Sequence, residues 1–274
     1  MPASGHSSPP QSSQLHTGAA ALLPDGRALR ELCEAAGRDI LSIRARRYEV
    51  AGKADGSPVT EADMAAHRRL IRGLPRLLDI PVLSEEQADV AWTERSAWHR
   101  YWLVDPLDGT REFVDGFDDF TVNVALIEKG EVRLGVVHAP ALATTWMGGK
   151  GIGAWRWREN RCRELVVRAE RPPRILASRA HLDAQTQAWL ERFPEASLER
   201  CGSSVKFCRI AEGRADLYPR FGPTCEWDTA AGQAVLEGAG GAVIEPRHGH
   251  ALRYNRGESL INGPFIACSD PGYA

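Results

Sequence analysis

The chain has 274 residues, with 34 Lys plus Arg against 36 Asp plus Glu for a net charge of −2, and 43% of it is hydrophobic. That balance disfavours a protein that grips nucleic-acid polymers through backbone electrostatics, and it excludes a wholly disordered or fibrous chain. No apolar run approaches the roughly 18 residues of a membrane span, although peripheral association at the inner face of a membrane stays open.

Residues 1–22 are rich in Ser, Pro, Gly and Gln, with neither a basic leader nor a sustained apolar core, and read as a flexible tail rather than a signal peptide. From Ala28 onward, Leu29, Leu32, Cys33, Ala36, Ile40, Leu41 and Ile43 recur at three- and four-residue intervals, the stripe of an amphipathic helix. A turn-rich loop, Lys53-Ala-Asp-Gly-Ser-Pro-Val-Thr60, ends in a helix cap. Thr60 with Asp63 three residues on resembles a capping box and predicts a second helix from Glu61 to about Leu74.

Pro81 to Leu83 and Tyr101 to Val104 read as buried strands, each running directly into acidic residues. Phe120 to Ile127 and Val132 to His138 flank Glu128-Lys-Gly-Glu131 as a hairpin, and Thr144 to Met147 adds a strand. Gly148-Gly-Lys-Gly-Ile-Gly153 reads as a hairpin turn, and the Arg-rich stretch 156–174 as a solvated loop or edge hairpin. Further strands are expected at Ile175 to Ala177, Leu198 to Cys201, Ala215 to Arg220, Ala242 to Glu245 and Phe265 to Cys268. Helices are expected at Ala184 to Phe193, Ser203 to Glu212 and Trp227 to Glu237. Alternation of this kind means a layered α/β protein. Six cysteines stand far apart with no C-x-x-C pair, which reads as reduced thiols in a cytoplasmic protein.

The acids collect in three places, immediately after apolar strands or at a helix start: Ser84-Glu85-Glu86, Asp105-Pro-Leu-Asp108-Gly-Thr110 and Glu226-Trp-Asp228-Thr. Carboxylates gathered at one point repel and raise one another's pKa unless a cation neutralises them, and Mg²⁺ or Mn²⁺ suits such hard oxygen donors. Leu107 can turn its carbonyl inward, and Gly109 and Thr110 expose backbone amides if a helix begins there. A cation beside such amides describes a phosphate-ester hydrolase. Taken singly, each segment is better read as a turn or a helix cap, and it is the three together that favour a functional site. Other phosphate and metal motifs fail on spacing. Leu107 stands where a two-aspartate phosphatase needs its second Asp, Gly116 stands where an EF-hand loop needs Glu, and Lys150 is followed by Gly rather than the Ser or Thr of a P-loop.

These segments resemble the three signatures of the Mg²⁺-dependent, lithium-sensitive inositol monophosphatase superfamily. Lys53 to Asp63, Tyr101-Trp-Leu-Val-Asp-Pro-Leu-Asp-Gly-Thr-Arg-Glu-Phe113 and Gly202-Ser-Ser-Val-Lys-Phe-Cys208 are similar to its bacterial 3'(2'),5'-bisphosphate nucleotidase branch. The likeness runs from about Ala28 to the C-terminus. It implies a layered α-β-α-β-α sandwich of the inositol monophosphatase/fructose bisphosphatase type in two subdomains. An N-terminal metal-binding subdomain would span 28–172, and a C-terminal subdomain of 173–274 would complete the site.

The resemblance also implies two to three Mg²⁺ ions, with Mn²⁺ as a substitute. One would be held by Glu85, Asp105 and the Leu107 carbonyl, a second by Asp105, Asp108 and Asp228, and a weaker third near Glu85 beside Asp63. Catalysis would rest on Asp63, Thr110 and Glu85, with Thr110 and Asp63 orienting and deprotonating a water. Glu86 is expected outside the ligand set.

Substrate contacts are expected from Gly109, Thr110, Ser203, Ser204, Lys206, Arg220 and Asp228. Ser203, Ser204 and Lys206 sit at a predicted helix start suited to a second phosphate. For Lys206 and Arg220 the alternative is plain exposed surface charge. Tyr218 and Phe221 are candidates for stacking a purine, with core packing as the alternative. The expected reaction is hydrolysis of the 3'-phosphate of adenosine 3',5'-bisphosphate to AMP and phosphate, linked to sulfur assimilation. Alternatives are an inositol-1-phosphate or fructose-1,6-bisphosphate phosphatase, or a metal-dependent nucleotide sensor without turnover. A homodimer stays open.

Overall fold

The first apolar stripe forms α1 (Gly26–Arg44), capped by Asp25, whose carboxylate accepts the N–H groups of Arg27 and Ala28. A computed structural model describes residues 23–46, 50–52, 58–179 and 183–273, with backbone alone at 50–52, 58 and 59. The tail 1–22 and residues 53–57 of the predicted turn-rich loop lie outside the described residues. The loop's flanks, β1 (Val50–Gly52) and β2 (Pro58–Thr60), pair antiparallel. α2 (Glu61–Leu77) starts at the predicted capping box and runs one turn further than expected, carrying Pro75 inside that last turn. A proline there costs one hydrogen bond near a helix end rather than interrupting the ladder.

Seven strands follow in a sheet whose spatial order matches the chain order: β3 (Val82–Ser84), β4 (Arg100–Asp108), β5 (Thr121–Glu128), β6 (Glu131–Ala139), β7 (Thr144–Gly149), β8 (Gly153–Arg158) and β9 (Arg161–Glu164). All pairs are antiparallel except β3 with β4. The β5–β6 turn places Lys129 at φ 52° and Gly130 at φ 75°. Two successive left-handed residues of this kind match the right-handed twist of the strands they join. The glycine-rich segment is a hairpin turn between β7 and β8, and the Arg-rich stretch forms the edge strand β9, both as expected.

A second sheet of five strands has the order β11-β10-β12-β14-β13, built from β10 (Arg174–Ser178), β11 (Ser197–Cys201), β12 (Leu217–Arg220), β13 (Ala242–Ile244) and β14 (Phe265–Cys268). Helices α5 (Ala184–Leu190), α6 (Val205–Ala211) and α7 (Glu226–Gly238) complete the second half. The first two are shorter than predicted, α5 ending three residues early and α6 beginning two late. The sequence reading missed the one-turn helix α3 (Trp92–Arg95), which has no periodicity to read.

Period-two alternation assigns the layers. On β4 and β5, Trp102, Val104, Val122, Val124 and Leu126 pack with α1 and α2, while Tyr101, Leu103, Ala125 and Ile127 face α7. On β14, Phe265 and Ala267 join that central core, and Ile266 and Cys268 turn to α5 and Trp189. The order is therefore α1/α2, seven-stranded sheet, α6/α7, five-stranded sheet, α5, the five-layer sandwich that was expected. Gly135 lets the middle layer close, because a Cβ there would stand 2.5 Å from the Ala231 carbonyl oxygen on α7. Among the described residues no helix is long and apolar enough to cross a membrane, and all six cysteines are free.

Candidate active site

The acidic segments converge where the end of β4 meets the starts of α6 and α7. β4 ends in Asp105-Pro-Leu-Asp108, and its pairing with β5 is irregular between Asp105 and Asp108. That break in register brings both carboxylates round to the same place. Asp228, third residue of α7, joins them, and one oxygen from each of Asp105, Asp108 and Asp228 lies within 4.8 Å of the others.

Each carboxylate is anchored through one oxygen. Asp105 Oδ1 accepts the Leu107 N–H at 3.0 Å, and Asp228 Oδ2 accepts the Cys225 N–H at 2.8 Å. Asp108 Oδ2 accepts from the Ser204 N–H at 2.6 Å, Asn123 Nδ2 at 3.2 Å and Thr121 Oγ1 at 3.4 Å. Burial pushes the pKa of all three upward. For Asp105 the charges of Glu85, Asp108 and Asp228 push further the same way, and Asp105 also shares a hydrogen bond with Glu85. Carboxylates set this close repel one another, and a bound divalent cation would relieve that repulsion. The donor set is all hard oxygen, partly buried and strongly self-repelling, and it fits Mg²⁺ or Mn²⁺. Glu85 stands outside the tight group of three but acts electrostatically on two of its members.

Asp63 serves two ends at once. Its Oδ2 accepts the Thr60 backbone N–H at 2.7 Å and the Thr60 hydroxyl at 2.6 Å, the predicted capping box, while Oδ1 lies 3.1 Å from Thr110 Oγ1. The cap and the site readings are therefore the two faces of one carboxylate. Thr110 Oγ1 also lies 3.0 Å from the Leu107 carbonyl. A hydroxyl has one proton and cannot satisfy both acceptors, so Asp63 and the Leu107 carbonyl compete for it. Asp63 is buried, and burial raises its pKa against the hydrogen bonds that lower it.

Gly109, at φ 83°, caps the short helix α4 (Thr110–Val114), which begins at the threonine as the sequence allowed. A Cβ at Gly109 would sit 3.3 Å from both Ser203 Cβ and the Asp119 carbonyl oxygen, so this turn and the Gly202–Lys206 segment are in near contact. Ser203 itself is left-handed at φ 45°, which starts α6 at Val205 rather than at Ser203. Ser204 is buried and turned inward, its hydroxyl 2.7 Å from Asn123 Oδ1 and 2.8 Å from Thr121 Oγ1.

The alternative of plain exposed surface charge for Lys206 and Arg220 does not hold, since both are buried. Lys206 Nζ donates to the carbonyls of Ser203 at 2.6 Å and Cys201 at 3.2 Å and lies 4.9 Å from the Tyr218 ring centroid. Its charge lowers the pKa of Asp108 against the effect of burial. Arg220 donates to the carbonyls of Gly222 and Pro223. Of the stacking candidates, Tyr218 is buried edge-on to Phe207 and Phe265, and Phe221 packs beside Trp189. Tyr218 is a core aromatic, because its strand β12 lies inside the second sheet, whereas Phe221, just beyond β12, is half-buried.

Sequence reasoning missed Thr121, Asn123, Glu112 and Asp119. The first two were legible as polar residues two apart at the start of an apolar strand, hence on one face of it. Glu112 is buried against Gly202, and Asp119 accepts the Gly202 N–H and an Arg179 guanidinium at 2.7 Å.

The model of the inositol monophosphatase family matches residues 25–269, and the chain belongs to that family. It is 47% identical over 238 residues to the 3'(2'),5'-bisphosphate nucleotidase CysQ of Salmonella typhimurium, covering 86% of this chain and 96% of the relative. Identity to the protein of the same name from Escherichia coli K12 is 45% over 238 residues, with the same coverages of 86% and 96%. Among solved structures, CysQ from Bacteroides thetaiotaomicron matches at TM-score 0.78 and 34% identity, over 89% of this chain and 97% of that one. An IMPase from Thermotoga maritima matches at TM-score 0.72 and 26% identity, over 88% and 90%.

Proposed function

We propose that the chain is a Mg²⁺-dependent phosphatase that removes the 3'-phosphate of adenosine 3',5'-bisphosphate, giving AMP and phosphate and clearing a by-product of sulfate activation. The observation that carries the hydrolytic reading is the joining of the three carboxylates within 4.8 Å to the Thr110–Asp63 contact at 3.1 Å. The nucleotide part is supported by relatives named 3'(2'),5'-bisphosphate nucleotidase at 45% and 47% identity.

Two to three ions suit the donors. Glu85, Asp105 and the Leu107 carbonyl would hold one, Asp105, Asp108 and Asp228 a second, and a weaker third would lie near Glu85. When bound, the ions supply an acidified water and positive charge beside the leaving oxygen. Thr110 then relays a proton, taking one from the attacking water while passing its own to Asp63 Oδ1. The raised pKa of Asp63 makes it a competent acceptor. The phosphate is met by the amides of Gly109 and Thr110 and by Ser203. Ser204, Lys206 and Arg220 brace this wall from behind through their internal bonds. The two sheets would form the cores of subdomains 28–172 and 173–274, with the site at their junction. A cytoplasmic setting agrees with six free thiols, and the relatives lend no support to a place at the inner face of a membrane.

Phosphate release from adenosine 3',5'-bisphosphate, inositol-1-phosphate and fructose-1,6-bisphosphate, each with and without Mg²⁺, tests the reading. Fastest turnover of the nucleotide, lost without metal, is expected. Equal or faster release from either other ester would overturn the nucleotide assignment, and binding without release from any would favour a sensor.

A further inference from the structure

A second concentration of charge lies at the far end of α6. A cleft of about 200 Å³ is lined by Arg156 on β8, Arg163 on β9, Arg168, and Glu212 and Arg214 just beyond α6. With Glu164 it presents four guanidinium groups against two carboxylates, in a protein whose total charge is −2.

The pairing within it is uneven. Glu212, with 5% of its side chain exposed, lies 3.3 Å from Arg156 and 3.6 Å from Arg214, and it accepts the Trp146 indole N–H at 2.7 Å. Among the described residues no carboxylate pairs with Arg163 or Arg168, and the buried Arg156 Nε has no hydrogen-bond partner. β9 is the edge of its sheet, and charge on an edge strand discourages pairing with another chain. That explains an arginine pointing into water from β9. It does not explain why arginines from two strands, a connecting segment and a helix end converge on one concavity.

Guanidinium forks match tetrahedral oxyanions in a bidentate manner. The cleft is smaller than the roughly 300 Å³ at which drug-sized ligand pockets begin, which selects a compact anion over a whole nucleotide. We propose that this cleft binds a compact phosphate- or sulfate-bearing anion, held chiefly by Arg163 and Arg168. The site is separate from the carboxylate cluster. α6 spans the interval, with its N-cap Ser204 at Asp108 and its C-cap Glu212 in the cleft, about 12 Å apart at 1.5 Å per residue.

The test is calorimetric titration of the full chain in EDTA, where the unneutralised carboxylate cluster repels anions, and it does not depend on the hydrolytic reading. Inorganic sulfate, phosphate and pyrophosphate are the probes, which separates the possible sources. One equivalent of at least one probe is expected to bind, more weakly as NaCl is raised. The double variant Arg163→Ala/Arg168→Ala is expected to bind it about tenfold or more weakly at an unchanged Tm. Should that variant unfold, the single variants Arg163→Ala and Arg168→Ala, each at an exposed residue, provide the same comparison. No saturable binding of any probe, or equal affinity in wild type and variant, would overturn the proposal.

Discussion

Replacing Lys206 with Met tests how the wall of the site is held. The ammonium donates to two backbone carbonyls, Ser203 at 2.6 Å and Cys201 at 3.2 Å, from a side chain only 4% exposed. Ser203 is a non-glycine residue at φ 45°, a conformation that costs roughly 1–2 kcal/mol and needs a partner to hold it. Met retains most of the volume but leaves both carbonyls without a donor and Asp108 without its neighbouring cation. Breaking one side of a buried charged network typically costs about 3–5 kcal/mol, and that is the loss expected here. Urea unfolding in EDTA measures it, with Lys150→Met at the exposed β7–β8 turn as the control, expected to change stability by less than about 0.5 kcal/mol. A loss under about 1 kcal/mol for Lys206→Met would refute the reasoning, because water would then be shown to replace the ammonium. With the Ser203 turn relaxed, the Ser204 N–H leaves Asp108, so turnover falls for every substrate rather than for bisphosphates alone.

Thr110→Val removes the hydroxyl between Asp63 and the Leu107 carbonyl; steady-state kinetics are expected to show kcat lower by about 10²–10⁴-fold, with Mg²⁺-induced stabilisation retained. Asp105→Asn is expected to reduce Mg²⁺-dependent turnover to background and, in EDTA, to raise Tm, because the wild-type carboxylate is buried among three others that repel it; a lower Tm in EDTA would contradict that account. His138, buried on β6 with Nδ1 2.9 Å from Thr145 Oγ1, has its pKa pushed down to about 4, chiefly by burial. Below its ordinary value of 6.5 the unfolded chain binds a proton that the fold does not. Stability is therefore expected to fall by about 3 kcal/mol as pH drops from 6.5 to 4, and His138→Gln to flatten that slope in urea titrations at successive pH values.

The five-layer fold was legible because most of its elements are long and buried on a regular period. β4, β5 and β6 carry apolar residues on both faces, and α1 and α2 carry one stripe each. The three acidic segments were legible because two follow apolar strands directly and the third opens a helix. What the sequence could not supply was the depth at which a charge lies. Lys206 looks like any lysine in the first turn of a helix. Its burial depends on Tyr218 from a strand in the second sheet and on carbonyls that a left-handed Ser203 turns toward it. Likewise α4, five residues long, has no period to detect, and its start is set by Gly109 fitting between Ser203 and Asp119.

A cluster of like charges must survive folding before any cation neutralises it, and the fold offsets the repulsion with helix N-termini. Asp63 and Asp228 are each the third residue of a helix, α2 and α7, and each carboxylate bonds back to its N-cap N–H. Negative charge is favoured there by the helix dipole, typically by 0.3–1 kcal/mol and by up to about 2 kcal/mol where partly buried. The same bond fixes one oxygen of each carboxylate, so the rotamer is chosen by the backbone and not by a cation. Asp108 reaches the same end by another route, through the Ser204 amide and two β5 side chains. Among the described residues Asp105 accepts one backbone N–H, that of Leu107, and faces the charges of Glu85, Asp108 and Asp228, which leaves it the carboxylate most in need of a counter-ion. The least compensated acid of the three is therefore the one proposed above as a ligand of both ions, and an affinity for divalent cations would follow from where the fold withholds its donors as much as from where it supplies them.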